Sequence, residues 1–293
     1  MSKTRVLLTG ERGFLGKRVA ELLGADPAIE LVPLGKRLGE LEAGEHPSLD
    51  VVVHLAAWTT KRSGASDIDR VIEANVLGLR DLLRALDPPP RRMLFASTAD
   101  VYGPASGLEI TEQMSLRPAD AYAASKVLGE QFVVEDARER DYEASTVRIA
   151  HLYGPGEESY EKLVPVAIRA LMQGRPPTVV GDGETRRDLL YVDDAAEAIR
   201  RLVLAPQPLP PVLNLAAPET YSLNEIAGAL IDVVGFIGRI RYLSDRSNPP
   251  SIGFDTGLLE ETIGAWDRVA LAEGLAREVR HVVALEASEE AAR

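Results

Sequence analysis

The chain has 293 residues, a net charge of -12, 45% hydrophobic residues and 27% charged residues, a composition typical of a soluble globular protein. The acidic balance argues against nucleic acid as a partner, because nucleic-acid binders carry a surplus of Lys and Arg on one face. The sequence contains no cysteine, which excludes disulfides, thiolate catalysis and cysteine zinc sites. Its four histidines are scattered without ligand-like spacing, so we expect no metal site.

No stretch approaches the roughly 18 to 20 apolar residues of a transmembrane helix. The apolar run Val6 to Leu8 is too short for the hydrophobic region of a signal peptide. We therefore expect no membrane contact and a cytoplasmic protein. The length suits one large α/β domain or a nucleotide-binding domain with a smaller lobe, and we favour the second.

The first half of the chain alternates short apolar runs with helical periodicity, the pattern of βαβ units and a parallel sheet. The stretch 67–86 places apolar residues on one stripe, as a helix lying on a sheet requires, and Pro88 to Pro90 end it. The predicted strands are Arg5–Thr9, Ile29–Leu34, Val51–Ala56, Met93–Ser97, Ser145–Ile149 and, later in the chain, Val212–Leu215.

After residue 150, "YGPGEES" and "GRPPTVVGDGETRRD" bring loop-like clusters of Gly, Pro and polar residues. We place the boundary of a second lobe there. The prediction is a doubly wound, Rossmann-type domain of residues 1–150 plus roughly 188–216, with a substrate-binding lobe of residues 151–187 and 217–293. In that lobe a helix begins after Ser222, which forms a capping box with Glu225.

The stretch "VLLTGERGFLG" leads a strand into Gly10, Gly13 and Gly16, and an amphipathic helix follows. Glycines at such a turn let the backbone approach a pyrophosphate, whose charge is met by the amides at the helix N-terminus. The spacing is GxxGxxG rather than the dinucleotide fingerprint GxGxxG, and a purely structural turn is the alternative.

The end of the second predicted strand reads "VPLGKRLG", where an NAD site normally has an acidic residue for the ribose hydroxyls. Lys36 and Arg37 suit a 2′-phosphate instead, and Arg12 is placed to reach the same group. NADP(H) is therefore the preferred cofactor and NAD(H) the alternative. The competing interpretation is that all three cations are solvated surface charges.

The stretch "DAYAASKVLGE" places Tyr122 and Lys126 four positions apart, on one face of a helix. An ammonium roughly 6 Å from the phenol, at an effective dielectric of about 20, favours the phenolate by about 2.8 kcal/mol, or about two pKa units. This predicts an acid–base role for Tyr122. A YxxxK pair alone is weak evidence, because chance matches are common.

A hydroxyl that holds the substrate oxygen would complete such a site. The stretch "FASTADVYG" supplies Ser97 and Thr98 at the end of a predicted strand, where open α/β sheets bind their ligands. The glycine turn, these hydroxyls and the tyrosine–lysine pair occur in that order along the chain. Their combination favours an enzyme over a chance match.

At this level the sequence resembles the extended short-chain dehydrogenase/reductases of the NAD-dependent epimerase/dehydratase type. The resemblance covers nearly the whole chain and rests on "TGERGFLG", "HLAAWTT", "NVLGL", "STADVYG", "YAASK", "VRIAHLYGPG" and "GDGETRRDLLYVDDAAEAI". It implies a nucleotide-linked sugar as substrate and Thr98, Tyr122 and Lys126 as the catalytic set.

The resemblance also implies further site residues. The implied cofactor contacts are Phe14 and Leu15 in the glycine motif, Leu55, Ala56, Ala57, Ser97, Tyr122 and Lys126. Arg187 matches an arginine that meets the substrate pyrophosphate, with an ion pair to Asp188 or Asp193 as its structural alternative. Asn75 lies on the apolar stripe, where a structural hydrogen-bonding role is the alternative to a functional one.

Some positions depart from the family pattern. Ala99 precedes Asp100 where sugar 4,6-dehydratases commonly have an acid pair, which makes dehydration less expected and leaves Asp100 as a candidate substrate residue. His151 stands in place of an asparagine that touches the sugar diphosphate. Leu79 replaces a usual threonine and the segment 35–50 is shorter than usual, which departs from the family's adenine contacts there.

Three functions follow as hypotheses. The preferred one is an NADPH-dependent 4-ketoreductase of a nucleotide-linked 4-keto-6-deoxysugar in deoxysugar biosynthesis, and the alternative is a nucleotide-sugar 4-epimerase with tightly bound NAD. The third is a nucleotide-sensing regulatory protein without turnover. We also expect a homodimer, with the helices near 70–86 and 121–138 as candidate interface helices.

Overall fold

A computed structural model describes residues 3–34, 36–46, 48–59, 67–104, 107–157, 160–243 and 246–291. The strands are β1 (Thr4–Thr9), β2 (Ile29–Val32), β3 (Val51–His54), β4 (Arg92–Thr98), β5 (Gly107–Ile110), β6 (Glu143–Ile149), β7 (Leu152–Tyr153), β8 (Thr178–Val180), β9 (Arg186–Asp188), β10 (Leu190–Tyr191), β11 (Val212–Leu215), β12 (Thr220–Ser222), β13 (Arg241–Leu243) and β14 (Ile252–Phe254). The α-helices are α1 (Phe14–Ala25), α2 (Ile68–Val71), α3 (Gly78–Ala85), α4 (Ala121–Arg140), α5 (Leu163–Met172), α6 (Val192–Leu204), α7 (Leu223–Val234), α8 (Gly257–Ile263) and α9 (Leu271–Ala291).

The centre of the fold is a six-stranded parallel sheet in the order β11-β6-β4-β3-β1-β2. Successive residues of β1 face opposite sides, as the two-residue period of a strand requires. Val6 and Leu8 pack in the core that includes α1 and α6, whereas Leu7 packs in the core that includes α3. Helices therefore cover both faces, and the expected Rossmann-type α/β fold is confirmed.

The six predicted strands of this sheet are confirmed, with ends that differ by one or two residues. The capping box is also confirmed, because the Ser222 hydroxyl accepts the Glu225 amide while the Glu225 carboxylate accepts the Ser222 amide. The helix predicted over 67–86 differs from expectation. A π-helical turn, Ile72–Leu77, separates α2 from α3, and Ile68 and Ile72 of the predicted buried stripe are 55% and 45% exposed.

A second group of elements packs around its own apolar cluster, which draws on α5, α7 and α9. Short pairings of β8 with β13 and of β9 with β12 lie in this region. The predicted two-lobe division stays a prediction. One helix assigned to the second lobe packs with the first, because Leu259 of α8 is fully buried in the core of the six-stranded sheet. Among the helices of the described ranges, none combines the length and apolar character needed to cross a bilayer.

Candidate active site

The loop between β1 and α1 is tight because glycine occupies its closest backbone contacts. Gly10 has a φ of +78°, and a Cβ added there would lie 2.6 Å from the Ala56 amide nitrogen. A Cβ at Gly16 would overlap the Gly10 carbonyl oxygen. Gly13 is the N-cap residue of α1 and offers no side-chain cap. The loop therefore presents the backbone amides of a helix N-terminus, which suits a pyrophosphate.

Beside this loop lies a cavity of about 220 Å³, called here the reaction cavity. It lies at the carboxyl ends of parallel strands, where open α/β sheets bind ligands. The predicted site residues that line it are Gly10, Gly13, Phe14, Leu15, Gly16, Leu55, Ala57, Ser97, Thr98, Asp100, Tyr122, Lys126 and His151.

The structure brings Thr98, Tyr122 and Lys126 together in this cavity. Thr98 is the last residue of β4, and its hydroxyl lies beside the Tyr122 phenol, whose pKa it lowers. Tyr122 and Lys126 lie in the first turns of α4, which Asp120 caps by accepting the Ala123 amide at 2.7 Å. Lys126 is 3% exposed and its ammonium donates to the Ala96 carbonyl at 2.7 Å.

The electrostatics differ from the sequence prediction, in which Lys126 lowers the pKa of Tyr122. Burial raises the pKa of the Tyr122 phenol well above its usual value, and the nearby charge of Asp100 adds to the rise, while the hydrogen bond to Thr98 opposes it. Burial also lowers the pKa of Lys126 to about 8. The prediction was wrong because it considered the Coulomb interaction and omitted the desolvation of both side chains. The residues of the chain keep the phenol protonated.

A larger cleft of about 1260 Å³, called here the outer cleft, shares Ala57 with the reaction cavity. The predicted site residues Arg12, Lys36, Arg37 and Ala56 line it. The Lys36 ammonium is 2.8 Å from a carboxylate oxygen of Glu45. The Arg12 side chain is 94% exposed and lies 3.7 Å from Glu11.

The model of the NAD dependent epimerase/dehydratase family matches residues 6–216, the segment that holds the glycine loop, Thr98, Tyr122 and Lys126. The chain belongs to this family. It is therefore an NAD(P)-dependent enzyme, and the expected family is confirmed.

The relatives of this epimerase/dehydratase family member catalyse different reactions. The chain is 28% identical to a UDP-glucose 4-epimerase of Mycolicibacterium smegmatis, over 94% of this chain and 97% of that protein. It is 29% identical to a GDP-6-deoxy-D-mannose reductase of Pseudomonas aeruginosa, over 78% and 80%. The structure of RMD from Pseudomonas aeruginosa complexed with NADPH superposes with a TM-score of 0.82 at 25% identity, over 95% and 97% of the two chains. The tight glycine loop and the amides at the start of α1 suit the pyrophosphate of a nicotinamide dinucleotide.

Ser97 lines the reaction cavity of this family member, but its hydroxyl serves a buried polar network. It donates to a Glu130 carboxylate oxygen at 2.5 Å, and Glu130 accepts two bonds from the Arg148 guanidinium at 2.8 and 3.1 Å. Arg148 also donates to the Tyr102 hydroxyl. These side chains are all 5% exposed or less. The hydroxyl expected near the cofactor therefore holds β4 to α4.

Asn75 has the structural role that was one of its two expected roles. Its side-chain oxygen accepts the Trp58 amide at 2.7 Å, and its nitrogen donates to the Trp58 carbonyl and the Ser125 hydroxyl, each at 3.0 Å. Ser125 in turn donates to the Tyr122 carbonyl at 2.7 Å. Asn75 therefore joins the π-helical turn to the first turn of α4, which positions Tyr122.

Arg187 lines neither the reaction cavity nor the outer cleft. Its guanidinium donates to the carbonyls of Arg186 and Pro250, at 3.0 and 2.7 Å. Among the described residues it forms no ion pair with Asp188 or Asp193, so the structural alternative for Arg187 was wrong. Asp193 instead lies 3.3 Å from the Arg18 guanidinium.

Several residues that line the reaction cavity were missed at the sequence level, among them two with large polar side chains on one segment. Tyr160 and Lys162 come from the segment between β7 and α5, and Lys162 directly precedes α5. The Lys162 ammonium lies 4.9 Å from the centre of the Tyr160 ring. Their position shortly after "LYGPG", which follows a sheet strand, was the available signal.

Proposed function

We propose that this protein is an NADPH-dependent 4-ketoreductase that acts on a nucleotide-linked 4-keto-6-deoxyhexose in deoxysugar biosynthesis. The observation that carries the proposal is the set of three cations, Arg12, Lys36 and Arg37, lining the outer cleft. No acidic residue occupies positions 33–37, where an NAD site would hold the ribose hydroxyls. Cations at this place favour a 2′-phosphate, which guanidinium groups bind in a forked geometry.

In the proposed reaction, the nicotinamide supplies the hydride when the cofactor is bound. Tyr122 donates its proton to the substrate oxygen, and Thr98 holds that oxygen through its hydroxyl. The Lys126 ammonium, fixed by the Ala96 carbonyl, supports the phenol and the cofactor ribose. Asp100 and His151 line the same cavity, and we propose them as substrate contacts.

The state of Tyr122 supports the reductive direction. A ketoreductase needs a proton donor at the start of the reaction, whereas an enzyme that first oxidises its substrate needs a base. Burial and the charge of Asp100 both raise the pKa of Tyr122, which keeps the phenol in its donor form. Arg187 remains a proposed contact for the substrate pyrophosphate, since its guanidinium is half-buried and bonded only to neutral carbonyls among the described groups.

The second candidate is a nucleotide-sugar 4-epimerase with tightly bound NAD. The observation that favours it is the 2.8 Å ion pair between Lys36 and Glu45, because a neutralised ammonium attracts a 2′-phosphate less strongly. Under our proposal Arg12 and Arg37 therefore supply most of the phosphate binding.

The test is to measure NADPH and NADH oxidation on a panel of 4-keto nucleotide sugars. We expect activity with NADPH, and we expect Arg37→Gln to lower the NADPH to NADH ratio of kcat/KM by at least about tenfold, since a charged hydrogen bond contributes about 1.5 to 3 kcal/mol. Arg91→Gln, an exposed arginine that does not line the outer cleft, is the control. Inactivity with both cofactors, copurifying NAD and interconversion of UDP-glucose and UDP-galactose would establish the epimerase instead.

We also propose a homodimer. Ile68 and Ile72 of α2 and the π-helical turn, and Leu128 and Phe132 of α4, are 38 to 55% exposed on helices that pack against each other. Large apolar side chains that are exposed together on neighbouring helices favour burial against a second protein surface.

A further inference from the structure

Two glutamates that the proposed chemistry does not use lie against each other beside the reaction cavity. Glu157 belongs to the loop after β7 and Glu278 to α9, and each is 1% exposed. Their carboxyl groups are within hydrogen-bonding reach of each other. Apart from the Gly154 amide and the Lys162 ammonium, no described group offers their four oxygens a hydrogen bond.

Two buried carboxylates in contact do not both ionise at neutral pH, because each charge disfavours the other and burial disfavours both. One proton therefore lies between the two groups, donated by one carboxyl and accepted by the other. Burial raises the pKa of Glu157 to about 7, and burial with the Glu157 charge raises the pKa of Glu278 to about 9. The pair, as a unit, gains its first negative charge near neutral pH.

Lys162 connects this pair to the site. Its ammonium is 3.3 Å from a Glu157 carboxylate oxygen and 3.3 Å from the Leu152 carbonyl oxygen. It lines the reaction cavity and also a groove of about 600 Å³ in the second group of elements. Three arginines, Arg169, Arg175 and Arg241, line the same groove. An anionic part of a ligand that extends from the cavity into the groove would pass Lys162.

Other titratable groups lie near the pair on the neighbouring elements. Burial, together with the nearby charge of Glu278, raises the pKa of Tyr153 in β7. From α6, Asp194 also acts on Tyr153, and its carboxylate accepts the Val269 amide. Next to Glu278 on α9, Arg277 extends to Glu273. Lys162 is thus the cation that is ion-paired with Glu157 among the described residues.

We propose that Glu157 and Glu278 form a carboxyl pair that shares a proton. The charge of this pair sets the net charge that Lys162 presents to the anionic half of the substrate, so both glutamates are positioning residues. The inference rests on the proposed function, because it takes the substrate to carry a diphosphate. With one proton on the pair, the pair and Lys162 together are neutral. With two protons they carry one positive charge. Affinity for the diphosphate therefore falls when the pair goes from two protons to one.

The test measures binding to the full-length protein by calorimetry at about pH 6 and about pH 8. The probes are UDP-glucose, dTDP-glucose and GDP-mannose, whose diphosphates keep a constant charge over this range. For the probe that binds, we expect Kd to rise about tenfold between the two pH values, the change that ~1.4 kcal/mol produces. In Lys162→Met, Kd should be high at both pH values.

The two glutamate variants should have different effects. Glu278→Leu removes the contact that lowers the pKa of Glu157, while burial still raises that pKa, so the rise in Kd should move to higher pH. Glu157→Gln leaves Lys162 without a counter-charge, so Kd should be low at both. A merely structural role would weaken binding in both variants. Glu286→Gln, an exposed acid on the same helix, is the control and should behave as the wild type.

The proposal is overturned if Glu157→Gln keeps the wild-type pH dependence, if Glu278→Leu leaves the pH midpoint unchanged, if both glutamate variants weaken binding, if Lys162→Met leaves Kd unchanged, or if none of the three probes binds. Because the readout is binding, it is independent of turnover. Binding with this pH dependence but without reduction of any 4-keto sugar would refute the proposed ketoreductase and keep this inference. Reduction with the pH dependence unchanged in Glu157→Gln would do the reverse.

Discussion

Glu130→Gln tests the buried network that joins β4 to α4 beneath the site. Glu130 is 4% exposed, accepts two bonds from Arg148 at 2.8 and 3.1 Å, and accepts the Ser97 hydroxyl. The glutamine removes the negative charge and leaves the Arg148 guanidinium buried without its counter-ion. Breaking a buried ion pair in this way costs about 3 to 5 kcal/mol.

The size of the effect can be stated as a melting temperature. At about 2.1 cal/mol/K per residue, unfolding of a 293-residue chain has an entropy of about 0.6 kcal/mol/K, so we expect Tm to fall by about 5 to 8 °C. Calorimetry measures Tm directly. The matched control is Glu135→Gln on the same helix, whose ion pair with Arg138 is exposed and contributes at most about 1 kcal/mol.

A double variant separates the pair from the individual side chains. Glu130→Gln with Arg148→Gln removes both charges, so its loss of stability should be smaller than the sum of the two single losses. A fall in Tm for Glu130→Gln no larger than that of Glu135→Gln, or additive losses in the double variant, would refute the reasoning.

Three further predictions concern the cofactor loop, Lys126 and the proposed dimer. Gly16→Ala should abolish NADPH binding measured by fluorescence, because its Cβ would overlap the Gly10 carbonyl oxygen, and binding within about threefold of wild type would contradict this. Burial lowers the pKa of Lys126 to about 8, so its ammonium is lost as pH rises through that value; kcat/KM should fall with a midpoint near pH 8, and an unchanged rate up to pH 10 would exclude a charged Lys126 as essential. Phe132→Glu should convert the dimer to a monomer in light scattering, whereas Ile237→Glu, at a 99% exposed position outside the proposed interface, should not; a wild-type that is already monomeric would refute the interface.

Much of the fold could be predicted because the sequence patterns of its strands and helix caps are local. The strands of the parallel sheet are runs of apolar residues that are buried on both faces, and the Ser222–Glu225 capping box satisfies its own amides. The π-helical turn at Ile72–Leu77 was not readable, because the apolar stripe fits a continuous helix and the turn is fixed by the hydrogen bonds of Asn75 to Trp58.

The sequence predicted which residues share the cavity better than it predicted their pKa shifts. Glycine spacing, strand-end hydroxyls and the YxxxK pair place Thr98, Tyr122 and Lys126 in one cavity. Sequence spacing carries no measure of burial, however, and burial decides the direction in which the pKa of Tyr122 shifts. The Ser97 hydroxyl is similar: only the packing of α4 on β4 shows that Glu130 accepts it.

The most direct test of the central claim is the rate of hydride transfer in Tyr122→Phe, measured as single-turnover NADPH oxidation with the 4-keto nucleotide sugar that the wild type reduces best. The account predicts a loss of about 10² to 10⁴ in rate, the usual contribution of general acid catalysis, with NADPH affinity retained. A Tyr122→Phe enzyme that oxidises NADPH at the wild-type rate would contradict the claim that this phenol supplies the proton.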